Sequence, residues 1–182
     1  HCASDAELLY FPPDMHPFEK FAVGIRQVQT EYCALCADDD VMLMDGVAAC
    51  VAALRLDPTA AAARGQAFSF QWSEAEPDGL YMTEALLTPP QINGDTPMER
   101  LAALFAPYHA VIYAVHRTTI LRKAMDAATG MLSSLLGLEL MVASLVAAEG
   151  GLLTVSAPVH GRCMGESVVP YREWHPLEYF VN

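Results

Sequence analysis

Positive charge is scarce in this chain. Ten Lys and Arg stand against twenty-two Asp and Glu in 182 residues, the net charge is −12 at pH 7, and Lys20 and Lys123 are the only lysines. A protein with this charge is repelled, on average, by phosphate backbones and by anionic membrane surfaces. We therefore expect neither a nucleic acid nor a membrane as a partner.

Long apolar runs and a disulfide pattern are also missing. The longest apolar stretch, residues 130–147, is interrupted by three serines and one glutamate, so it is too broken and too short for a membrane span. The five cysteines are odd in number and follow no disulfide framework. Reduced thiols in a cytoplasmic protein are therefore the simplest interpretation.

The common cofactor signatures do not occur. The chain contains no glycine-rich phosphate loop, no dinucleotide fingerprint, no H-E-x-x-H helix and no EF-hand loop. The usual nucleotide-binding and metalloprotease classes are thereby excluded, and we predict no cofactor.

Two groups of residues have side chains that can bind a metal, but neither group completes a site. Cys33 and Cys36 form a C-x-x-C, but a second such pair or two histidines are missing, so a zinc site would have to recruit Cys50. Packing cysteines are the better interpretation, since free cysteine is usually buried. His109 and His116 lie about 10 Å apart on a helix and further apart on a strand, too far to hold one ion. We predict no metal site.

Apolar residues make up 53% of the chain, slightly more than the roughly 45–50% of typical globular domains. A chain of this length can bury a sizeable core by itself, so we predict a single domain over residues 1–182. Two arrangements would cover the apolar excess. One is an interface between copies in a homo-oligomer, and the other is an apolar pocket.

The N-terminal third predicts one strand, one helix and one hairpin. Residues 7–11 form a short apolar run that two prolines end, which indicates a strand. Pro17 suits a first helical position, and apolar residues follow at steps of three and four as far as Leu35. Asp45-Gly46 between two apolar runs favours a hairpin. The alanines around it favour one helix over residues 41–54 instead, and we prefer the hairpin narrowly.

The middle of the chain carries clearer signals. Residues 60–63 predict a short helix or linker, and the alternation of aromatic and polar residues over 68–72 predicts a strand whose partner is 80–87. Thr96-Pro97-Met98-Glu99 is a capping box, which begins a helix that runs to about Ala106.

The C-terminal half predicts three strands and a long helix. The β-branched run 109–116 indicates a buried strand, and 118–136 indicates a helix. Residues 138–146 and 152–159 flank two glycines and predict a second hairpin. Together these elements predict an α+β fold with a mostly antiparallel or mixed sheet and with helices packed on one face.

The densest group of reactive side chains lies in residues 160–167. His160, Arg162, Cys163 and Glu166 offer an imidazole, a guanidinium, a thiol and a carboxylate, a set from which a Cys–His nucleophile or an anion site could be built. The residues match no known catalytic signature, and a polar turn between two strands would have the same composition. We take these four residues as the candidate catalytic set.

A second candidate segment follows at the C-terminus. Tyr171, Arg172, Trp174 and His175 combine aromatic rings with charge, and such residues dominate the energetic centres of protein interfaces. They would equally suit a segment that packs its rings on the core. We take them as candidate binding residues.

The composition favours contact over catalysis. We expect a non-enzymatic module that binds a partner protein or an apolar small ligand. The alternative is a thiol- or histidine-dependent enzyme that uses residues 160–167 for acyl transfer or hydrolysis.

Overall fold

A computed structural model describes residues 8–72, 79–131 and 134–164. The elements in chain order are α1 (Pro17–Gln27), β1 (Tyr32–Ala34), β2 (Val41–Met42), α2 (Met44–Leu56), β3 (Ala60–Trp72), β4 (Leu80–Leu87), α3 (Pro97–Phe105), β5 (Val115–Arg117), α4 (Thr118–Thr129), α5 (Leu135–Glu149) and β6 (Gly151–Cys163). The predicted α+β class is confirmed. Within these ranges no helix has the length and apolar character needed to cross a membrane.

The sheet is mixed, and its centre is a parallel pair. The strand order is β1-β5-β3-β6-β2, and β4 pairs with β3 beside this row. The long strands β3 and β6 run parallel from Ala60↔Gly151 to Phe70↔Cys163, with register shifts, while the other strand pairs of the described chain are antiparallel. A parallel pair needs a long crossover connection, and the segment from β4 to α5 supplies it.

Helices cover both faces of the sheet. Residues paired across two strands point their side chains to the same side of the sheet, and successive residues of one strand alternate between the two sides. Ala62 and His116 therefore face one side, while Ala63 and Val115 face the other. The first side carries the larger hydrophobic cluster, to which α1, α3, α4 and α5 contribute. The second side carries a smaller cluster, to which α2 contributes Cys50 and Leu54. Four helices thus pack on one face, and α2 packs on the opposite one.

Local signals predicted several elements well. The helix from Pro17 is confirmed at its start, and the capping box is present with both of its hydrogen bonds, Glu99 N–H to Thr96 Oγ1 and Thr96 N–H to Glu99 Oε2. The strand over 68–72 and its antiparallel partner 80–87 are also confirmed.

The N-terminal third differs from prediction in two places. No strand forms over the described residues 8–11. The helix from Pro17 ends at Gln27, and residues 32–34 form the edge strand β1, so Cys33 lies on a strand and not at a helix end. Val28 and Leu35 lie outside both α1 and β1 but still pack on the larger hydrophobic cluster, so their spacing continues that of the helix.

The predicted hairpin at Asp45-Gly46 is wrong, and the helical alternative is right from Met44 onward, while Val41–Met42 forms the strand β2. Gly46 lies inside α2, where a Cβ would be 2.0 Å from the Pro158 carbonyl oxygen. The glycine therefore serves close packing of α2 on β6 and does not serve a turn. Residues 60–63, predicted as a helix or linker, are four buried alanines at the start of β3, between the two clusters.

Three further predictions in the C-terminal half are wrong. Residues 109–114 form turns, and only Val115–Arg117 is a strand. The predicted helix 118–136 is two helices, since α4 ends at Thr129 and α5 begins at Leu135. Residues 138–146 belong to α5, so the second hairpin does not exist and β6 pairs with β3 instead. A uniformly apolar run has no period that separates a buried helix from a buried strand.

Candidate ligand-binding site

The site is built around β6. His160 and Arg162 are two positions apart and lie on one side of this strand, whereas Gly161 and Cys163 lie on the other. Strand β2 pairs with β6 through Val41↔Gly161, which places the preceding residue, Asp40, beside this stretch of β6.

Asp40 holds His160 in a fixed position. His160 Nε2 lies 2.9 Å from Asp40 Oδ2, and the other carboxylate oxygen accepts the backbone N–H of Cys163 at 2.9 Å. The side chains of His160 and Asp40 are only 11% and 5% exposed. The imidazole therefore has its Nε2 engaged by a buried carboxylate, which fixes the orientation of the ring.

The Tyr113 ring stacks on the face of the His160 imidazole. The two ring centroids are 4.5 Å apart and the ring planes differ by 11°. Burial raises the pKa of Tyr113, and the Asp40 carboxylate raises it further, against a smaller lowering by Arg162. The phenol is therefore protonated at neutral pH and can donate a hydrogen bond.

Tyr113 forms part of two pockets. The larger one, which we call the apolar pocket, has a volume of about 360 Å³ and lies between α1, α5 and the turn before β5. Its lining residues are Pro17, Phe18, Phe21, Leu35, Ile112, Tyr113, Leu135, Leu136, Glu139 and Arg162. The charged groups in this set are Glu139 and Arg162, and Glu139 Oε1 accepts a hydrogen bond of 2.8 Å from the Tyr108 hydroxyl.

The smaller one, which we call the polar pocket, has a volume of about 130 Å³. Its lining residues are Arg64, Gly65, Ala67, Leu87, Pro89, His109, Ala110, Tyr113, Ala114, Val159 and His160. Arg64 contributes to its lining from β3, which runs beside β6. Nothing in the sequence around Arg64 marked it, because its position depends on the pairing of two strands far apart in the chain.

The structure places the predicted site residues in three different ways. His160 and Arg162 lie on one face of β6, each lining a pocket that includes Tyr113. Cys163 is on the opposite face, so the thiol and the imidazole are not brought together by the strand. Glu166, together with Tyr171, Arg172, Trp174 and His175, lies outside the described residues.

The described cysteines lie on different elements of the fold. Among the residues that the structure describes, no group of three or more His, Cys, Asp or Glu side chains could hold a metal ion. Cys50 is buried in α2, on the face of the sheet opposite to the cluster that contacts Cys33. Burial raises the pKa of the Cys33 thiol, and it raises that of Cys50 to about 11, as expected for packing cysteines.

Two comparisons with known proteins found no relative of this chain. No family model matches the chain, and no curated protein matches its sequence.

Proposed function

We propose that this protein is a binding module and that its ligand is a small apolar molecule held in the apolar pocket. One observation carries the proposal. A cleft of about 360 Å³ is lined by aromatic and aliphatic side chains from α1, α5 and the turn before β5, with one cation and one anion at Arg162 and Glu139. Small-molecule sites commonly measure about 300–1,000 Å³ and combine an apolar lining with a few polar groups.

The alternative, a thiol- or histidine-dependent enzyme, has weaker support. Hydrolysis or acyl transfer through a thiol needs Cys163 within reach of His160, and three positions along a strand put their side chains on opposite faces. The described residues that line the two pockets include no Cys, Ser or Thr. The pair of His160 and Asp40 is a polar anchor in a binding site under this proposal.

The proposed cellular compartment and oligomeric state rest on the cysteines and on exposed apolar residues. We infer a reduced, cytoplasmic environment, which is supported by the four free cysteines of the described chain. We also infer a homo-oligomer, because large apolar side chains such as Met44 and Leu56 of α2 are exposed on the described surface.

A neutral fluorescent probe tests the proposed function. N-Phenyl-1-naphthylamine is apolar and uncharged, and we expect saturable binding at one site per chain. Leu136 lines the apolar pocket and is half-buried, so Leu136→Trp should fill the space and weaken probe binding at least tenfold.

The matched control is Leu8→Trp, because Leu8 is exposed ahead of α1 and does not line the pocket. This variant should bind the probe as the parent protein does. Probe fluorescence that rises without saturation, or an affinity that Leu136→Trp leaves unchanged, would refute the proposed site.

A further inference from the structure

The polar pocket has an unusual balance of charge for this chain. The protein has more than twice as many acidic as basic residues. Yet the described residues that line the polar pocket include one arginine and two histidines, and no carboxylate. Its remaining walls are mostly aliphatic, with Leu87, Pro89 and Val159 among them.

Arg64 is a buried cation that has no counter-charge among the described residues. The residue is 5% exposed, and its Nη1 and Nη2 donate to the carbonyl oxygens of His109 and Pro90, both at 3.0 Å. Its Nε is shielded from solvent and has no hydrogen-bond partner. No carboxylate of the described chain forms an ion pair with it.

This arrangement leaves binding capacity unused. A guanidinium has five N–H donors, and the two carbonyl contacts engage two of them. Burial lowers the pKa of Arg64 to about 10, so the side chain is still charged at neutral pH. An isolated charge inside a protein is costly unless an opposite charge approaches it, so an anion that enters this pocket gains a strong partner.

We propose that the polar pocket binds the carboxylate of a small aliphatic acid through Arg64. A carboxylate matches the planar fork of a guanidinium better than a spherical ion does, because it accepts two parallel hydrogen bonds. The aliphatic walls suit a short hydrocarbon chain. A dry cavity of about 150 Å³ holds a benzene molecule, so about 130 Å³ suits an acid of roughly four carbons.

The site does not depend on the apolar pocket. The two pockets share Tyr113, but Arg64 and His109 line only the polar one, while Arg162 and Glu139 line only the apolar one. Each pocket can therefore be blocked by substituting a residue that does not line the other pocket.

Isothermal titration of the whole chain with sodium butyrate tests the proposal. We expect saturable binding of one butyrate per chain, with butyramide, the uncharged analogue, at least tenfold weaker. Arg64→Met retains an unbranched side chain but removes the guanidinium and its charge. This variant should therefore not bind butyrate. Binding of N-phenyl-1-naphthylamine should be unchanged in this variant.

A second pair of variants keeps the test decisive if Arg64→Met does not fold. Ala110 lines the polar pocket and is exposed, so Ala110→Trp should block butyrate with little effect on folding. Ala102, exposed on α3 and outside the pocket, provides the control Ala102→Trp, which should bind butyrate normally.

Each of several results would overturn the proposal: no saturable heat with butyrate, equal affinity for butyrate and butyramide, butyrate binding retained by a folded Arg64→Met, or equal butyrate binding by Ala110→Trp and Ala102→Trp. Inorganic phosphate is the comparison anion, and phosphate binding tighter than butyrate binding would contradict a carboxylate site. Failure of the naphthylamine probe to bind the parent protein would refute the apolar pocket alone.

Discussion

His116 makes the stability of this protein sensitive to mild acid. The side chain is completely buried, its Nε2 lies 3.1 Å from the Val111 carbonyl oxygen, and its Nδ1 has no hydrogen-bond partner. Because the partner of Nε2 is an acceptor, the proton of the neutral ring is on Nε2. Burial lowers the pKa of His116 to about 4, although hydrogen bonds to the backbone of Val111 and Ile112 act in the opposite direction.

The sign and size of the effect follow from linkage. The unfolded chain takes up a proton on this histidine near pH 6.5, whereas the folded chain does so near pH 4. The stability that the neutral ring contributes is therefore complete above pH 6.5 and is lost as the pH falls to about 4. The full loss is about 3 kcal/mol, and about 2.5 kcal/mol of it has occurred by pH 4.5. Total stabilities are commonly only about 5–15 kcal/mol.

The variant His116→Leu isolates the contribution of this histidine to the pH dependence of stability. The carboxylates are the same in both proteins, so their contributions cancel when the two free energies of unfolding are subtracted. At pH 7.5 the variant should be about 1 kcal/mol less stable, because the Val111 carbonyl loses its donor. At pH 4.5 the order should reverse, with the variant about 1.5 kcal/mol more stable than the parent. Urea unfolding followed by circular dichroism at both pH values measures this. A stability difference that stays constant between pH 7.5 and pH 4.5 would refute the assignment.

Two further predictions concern helix packing and helix capping. Gly46→Ala should destabilise the protein by about 1–3 kcal/mol, because the new Cβ would overlap the Pro158 carbonyl oxygen. Gly24→Ala in α1, whose Cβ has nothing within 4 Å, should instead stabilise it by up to about 1 kcal/mol. Equal unfolding midpoints for the two variants would contradict the close packing at position 46. Thr96→Ala removes the acceptor for the Glu99 N–H and should cost about 1 kcal/mol in urea unfolding, and no measurable change would contradict the capping role.

Features that depend on neighbours in sequence were predictable. The proline at the start of α1 and the capping box of α3 act on backbone groups within a few residues, so the chain specifies them wherever it folds. The alternation over 68–72 is equally local, since a strand exposes its two faces at every second residue.

Ambiguous apolar segments were not predictable in the same way. Residues 41–54 and 138–146 are apolar on most sides, and helix and strand both satisfy such a pattern. The choice for α2 depends on the contact of Gly46 with the backbone of β6, which only exists once both elements are in place.

The candidate site likewise combines residues that the sequence indicates with residues that only the fold brings to it. The concentration of reactive side chains in residues 160–167 predicted a catalytic set, and of that set His160 and Arg162 line the two pockets, while their catalytic role stays a prediction. Their partners were not visible, since Asp40 is 120 residues away from His160, and Arg64 reaches the pocket through the parallel pairing of β3 with β6.

The sequence by itself determined the net negative charge, the α+β class and the beginnings of two helices, since each follows from composition or from groups a few bonds apart. Only the tertiary structure decided which apolar runs became helices, which faces of the sheet Cys33 and Cys50 occupy, and which charges share a pocket. Those outcomes are set by distances between residues that are remote in the chain, and such distances exist only after the sheet has formed.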